Sequence, residues 1–125
     1  VDQFSMQINT QSLSSHYSNY VGGEFELTED MALYEKSEGN FSFYNVSLVR
    51  QSDCCHQGRL IANLSEGTKI TVDDVLRYTF FTNDCNEAIG KINFDDKLIK
   101  FEFFINCNYE GLKISKSLPW GKSKA

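Results

Sequence analysis

An all-β fold, read as an antiparallel β-sandwich or flattened small barrel of about eight or nine strands, is predicted for this 125-residue chain by three features. Apolar and polar residues alternate with period two, which places one face of a strand inward and the other outward. Ten Phe and six Tyr, against a single Pro, supply the aromatic residues that suit a pleated, half-buried surface. Turn residues recur at short intervals, so neighbouring strands are expected to pair mostly antiparallel. The length fits one domain over residues 1–125, large enough for a core that disulfides would reinforce rather than replace.

Taken in order, strands are expected near 3–9, 20–27, 31–35, 41–50, 58–64, 68–72, 76–83, 88–94 and 98–106, with a further one near 111–116. The cleanest alternation is Ile99, Phe101, Phe103, Ile105 and Cys107 against Lys100, Glu102, Phe104 and Asn106. Val21, Phe25 and Leu27 form another inward set, as do Tyr44, Val46 and Leu48, then Leu60, Ala62 and Leu64, then Ile92 and Phe94. The turn signals are Ser37-Glu38-Gly39-Asn40, Ser65-Glu66-Gly67-Thr68, Asn83-Asp84 and Asp95-Asp96. Asp73-Asp74-Val75-Leu76 is the only helix-like piece, a single turn at most, and the tail from Gly121 to Ala125 reads as frayed.

Four cysteines, Cys54, Cys55, Cys85 and Cys107, are the most informative residues for compartment. In a simple meander, strands 41–50, 68–83 and 98–106 run one way and 58–64 and 88–94 the other, which gathers all four thiols at one rim. A bond between the adjacent Cys54 and Cys55 is disfavoured by disulfide geometry. Two connectivities remain: Cys54–Cys85 with Cys55–Cys107, or Cys54–Cys107 with Cys55–Cys85. Each bridge is worth about 2–4 kcal/mol. Oxidised cysteines place the chain in a periplasmic or secreted setting, as a mature form after removal of a signal peptide. Zinc ligation by Cys54-Cys55-His56 with Cys85 and Cys107 is weaker than disulfides, because no C-x2-C pair exists and adjacent residues rarely bind one ion together. No metal and no cofactor are expected.

The formal net charge of −5 argues against nucleic acid and anionic membranes, and no run of 18 apolar residues could span a bilayer. It favours a cationic partner; a homodimer is also compatible with the sequence. Catalysis is not expected. Asp73-Asp74 and Asp95-Asp96 lie among turn residues, His16 and His56 have no local partner, and no nucleophile-elbow, zincin or phosphate-loop motif occurs. N-x-S sequons occur at Asn40, Asn45 and Asn63, and alternation places Asn45 and Asn63 outside. Aromatics on polar faces or in polar stretches, namely Phe104, Phe41, Phe43, Tyr17 and Tyr20, mark either a second covered face or a partner surface. Phe81 and Tyr78 can both be buried only if their strand is covered on both sides.

The run Asn19-Tyr20-Val21-Gly22-Gly23-Glu24-Phe25, followed by Cys55-His56-Gln57-Gly58-Arg59-Leu60, Ser65-Glu66-Gly67, Tyr78, Cys85, Phe94 and Cys107-Asn108-Tyr109-Glu110-Gly111, resembles exported bacterial β-domains related to lysozyme inhibitors. Within these it is most similar to periplasmic immunity proteins of type VI secretion systems, over about 100 residues. It departs from the glycine–aromatic ending of that pattern, with Pro119-Trp120-Gly121 in its place. The resemblance implies an inhibitor that binds and blocks a lysozyme-like, peptidoglycan-cleaving effector, a cationic cell-wall hydrolase. A lipocalin-like barrel carrying a small ligand is the alternative, and an adhesion module using a sheet edge a third reading. For the inhibitor, contact is expected from rim residues Asp53, His56, Asp84 and Glu87, with Tyr20 and Phe104 as aromatic candidates.

Overall fold

The computed structural model describes residues 8–36, 43–52, 58–80, 83–108 and 118–122. Within them lie nine strands: β1 (Ile8–Ser12), β2 (Gly23–Leu27), β3 (Met31–Glu35), β4 (Val46–Arg50), β5 (Arg59–Leu64), β6 (Lys69–Phe80), β7 (Asn83–Phe94), β8 (Lys97–Asn108) and β9 (Trp120–Gly121). They form one curled sheet, a half-barrel in the order β5-β3-β4-β8-β7-β6-β2-β9, with β1 paired to the C-terminal half of β6. The fold is all-β, as the alternation predicts. Strand 111–116 of the sequence reading lies outside the described residues. Gly121, expected in a frayed tail, instead pairs with Glu26 in β9.

The neighbours differ from a simple meander. β3 separates β4 from β5, and β4 lies beside β8 in the sheet's one parallel pairing among the described residues, at Ser47 and Glu102. β4 and β5 therefore run in the same direction, whereas the meander has 58–64 running opposite to 41–50. Alternation determines which face a side chain takes. It carries no information about which strand lies alongside, and the long connections 36–45 and 51–58 allow a non-sequential neighbour.

Three 12-residue strands, β6, β7 and β8, form the backbone of the half-barrel. The two strands expected at 68–72 and 76–83 are one, because Asp73-Asp74 is a β-bulge and not a helical turn: the register of β6 on β7 shifts between Val72 and Asp74. The bulge is held by its own carboxylates. Asp73 accepts from Lys91 Nζ at 2.8 Å, and Asp74 accepts from the Val75 amide and the Ser12 hydroxyl, each at 2.8 Å. Beside it Gly90 is obligatory, since a Cβ there would stand 2.3 Å from the Thr71 carbonyl oxygen and 2.8 Å from the Phe101 ring. Asp95 and Asp96 make the β7–β8 turn with φ of 54° and 61°. Positive φ at both central residues is the two-residue hairpin geometry whose twist matches the strands, and Asp tolerates it.

The core lies inside the curl. Leu27, Val46, Leu48, Leu64, Ile92, Phe101 and Phe103, all expected inward, are buried, while Phe94 and Ile99 pack against them half-buried. The sequence reading underrates two members. Tyr17, placed in a polar stretch, is 2% exposed, and Trp120 is 1% exposed with its indole edge-on to Phe103 at 5.2 Å. Two bulges overturn local expectations. A register shift on β5 turns Leu60 outward, and one between Asn86 and Glu87 takes Cys107 off the face of Phe101 and Phe103.

Candidate functional site

The disulfide lies at the open end of the β7–β8 hairpin. Cys85 and Cys107 are directly opposed, with Cα atoms 4.1 Å apart, and bonded to each other. Both connectivities expected from the sequence are therefore corrected: each paired Cys85 and Cys107 with Cys54 or Cys55. The physical reason is register. Extending β7 back to Asn83 and β8 on to Asn108 makes the two cysteines direct cross-strand partners. Cys54 and Cys55 lie outside the described residues, as do Asp53 and His56.

Of the remaining rim candidates, Asp84 is half-buried and accepts from the Thr79 hydroxyl at 2.7 Å. Glu87 is corrected as a contact residue: it is 4% exposed and accepts from the Tyr78 hydroxyl at 2.5 Å. Within β7 it faces Phe104 across the ladder and belongs to a covered part of the sheet. Tyr20 is half-buried, and its carbonyl accepts from Trp120 Nε1 at 2.9 Å, so its backbone serves the core. Phe104 stands as expected on the polar face of its strand, 53% exposed, and is a real surface aromatic. Phe43 is half-buried, edge-on to the buried Tyr78 at 5.4 Å. Tyr78 is thus covered from the second face, the condition the sequence required for its burial; Phe41 and Phe81 lie outside the described residues.

What covers that second face is a feature the sequence reading missed. Glu102, assigned to a polar face, is 0% exposed. Its Oε1 accepts from the amides of Phe43 and Tyr44 at 2.7 and 3.0 Å, and its Oε2 binds Lys36 Nζ. One carboxylate thereby ties Lys36, just after β3, and Phe43 and Tyr44, ahead of β4, to β8. Lys100 lies over the Tyr44 ring at 5.8 Å on the same face. The only signal in the sequence was a glutamate flanked by Phe101 and Phe103, which alternation reads as solvent-facing.

Elsewhere on the outer face, Glu24, Lys69, Thr71, Lys91, Asn93 and Leu98 line a shallow groove of about 230 Å³. At the hairpin end, Asn86 is fully buried and donates to Asn106 Oδ1 at 3.1 Å. No group of three or more His, Cys, Asp or Glu among the described residues could hold a metal ion. No helix of the described residues is long and apolar enough to cross a membrane. The chain matches no protein-family model, no curated protein and no solved structure in the comparisons made.

Proposed function

We propose that this chain is an exported inhibitor that binds a cationic, lysozyme-like cell-wall hydrolase and occludes its cleft, in the manner of the periplasmic immunity proteins it resembles. The observation that carries the reading is the stapled hairpin end: an intramolecular disulfide that holds Asp84 on a rigid β frame of net charge −5. A disulfide suits an oxidising compartment such as the periplasm, where a peptidoglycan-cleaving enzyme acts. A rigid rim loses little entropy on binding, and an acidic surface steers a cationic partner toward it. With Glu87 withdrawn into the sheet, the steering charge at this rim falls to Asp84. Phe104, exposed on β8, supplies an aromatic anchor.

The ligand-carrier reading has less to rest on. The inside of the curl is occupied by Tyr17, Met31, Leu33, Phe101 and Trp120, and the groove described above is on the outer face. A muramidase assay separates the readings. Stoichiometric inhibition of lysozyme-like muramidases is expected, with no small molecule retained in native mass spectra. A co-purifying ligand without inhibition would favour the carrier.

A further inference from the structure

The two cysteines of the bridge are unequally exposed. Cys107 is exposed and Cys85 is 4% exposed. A thiolate opens a disulfide by attacking one sulfur in line with the S–S bond, from behind that sulfur, and expelling the other. Behind Cys85 lies β6, where Tyr78, itself 5% exposed, is the register partner of Cys85. On the other side of β8, β4 pairs only at Ser47 and Glu102, so Cys107 has no register partner there among the described residues.

From this asymmetry we propose that Cys107 is a site of reversible S-thiolation by small monothiols. The thiolate RS⁻ bonds to the Cys107 sulfur as the Cys85–Cys107 bond breaks. Cys85 leaves with the electron pair as a thiolate and takes a proton from solvent. A second thiol attacking the mixed disulfide releases RSSR and completes a two-electron reduction to two cysteine thiols. The opening is local. The ladder runs inward from Asn86–Asn106 to Phe94–Lys97 and does not depend on the outermost pairs. The bridge therefore works as a reversible clamp on the rim, and Cys107 becomes a covalent handle beside Asp84.

Oxidised and reduced glutathione are suitable probes. Cys85→Ser leaves an exposed thiol at 107 that cannot re-close the bridge; Cys107→Ser leaves the buried thiol at 85. Each folded variant is treated with oxidised glutathione and digested with trypsin, which separates 78–91 and 101–113 from 51–59, the piece holding Cys54 and Cys55. Glutathionylation of Cys107 in the first variant is expected to run well ahead of that of Cys85 in the second. The unaltered protein in reduced glutathione should open its bridge while amides of 88–94 and 97–103 keep their hydrogen-exchange protection. Equal rates, faster modification of Cys85, or opening only with loss of that protection would overturn the proposal.

Discussion

The indole of Trp120 donates to the carbonyl of Tyr20 at 2.9 Å across 100 residues of sequence. This bond joins the last described strand to the turn before β2, and just after β2 the Thr28 amide donates to the Pro119 carbonyl at 3.0 Å. The contact brings the C-terminal segment onto the core, and Trp120 fills the space against Phe103. Trp120→Phe keeps much of the packing and leaves the Tyr20 carbonyl without its donor, at a cost of about 1–3 kcal/mol. Trp120→Ala adds a cavity and should cost about 3–5 kcal/mol. Urea unfolding of both variants checks the ranking; a Trp120→Phe variant as stable as the parent would mean the hydrogen bond contributes nothing, and equal losses would mean the packing against Phe103 contributes nothing beyond it.

Glu102 supports a second prediction. Replacing it with Ala removes the acceptor of two amides and the partner of Lys36 at once. Breaking a buried pair from one side costs about 3–5 kcal/mol, and the low end applies because Lys36, 20% exposed, can regain water. The amides of Phe43 and Tyr44 should lose hydrogen-exchange protection in this variant while those of β7 retain it. Protection unchanged at 43 and 44 would show that another group holds this connection.

Gly90 yields the sharpest packing test. A methyl group there meets the Thr71 carbonyl and the Phe101 ring together, so the β6 bulge must shift. Gly90→Ala should destabilise by at least the roughly 1–3 kcal/mol typical of overpacking. A thermal melt indistinguishable from the parent would rule out the close approach.

Reduction of Cys85–Cys107 should lower stability by about 3 kcal/mol on the loop-closure model, given a separation of 22 residues. The core is built independently of the bridge, so far-ultraviolet circular dichroism at room temperature should keep its β signature. Loss of that signature on adding reductant would mean the core had been overrated.

How much of this was legible follows from what alternation encodes. It reports face, and so Leu48, Phe101 and Phe103 were readable as core and Phe104 as surface. It fails where a bulge slips the register, which is why Leu60 and Cys107 point away from their expected faces. Neighbour identity is a tertiary property. The β4–β8 pairing and the Cys85–Cys107 partnership both depend on strand ends and order that short apolar runs leave open. Burial of Glu102 and Glu87 was unreadable for a related reason: a second covered face makes a polar position internal, and the covering residues come from another part of the chain. Of the candidate rim, the sequence located the half-buried Asp84 and the exposed Phe104 but could not see that Tyr78 draws Glu87 inward.

The central claim is that an acidic, disulfide-stapled rim meets a cationic cell-wall hydrolase. Its most direct test is the association rate of the chain with a panel of cationic lysozyme-like muramidases at low and moderate salt, for the parent and for an Asp53→Asn, Asp84→Asn double variant. Binding by at least one muramidase is expected, with an on-rate that falls as salt rises and a slower, less salt-sensitive on-rate in the double variant. No binding to any member at low salt, or binding with an on-rate unmoved by both salt and the double substitution, would contradict it.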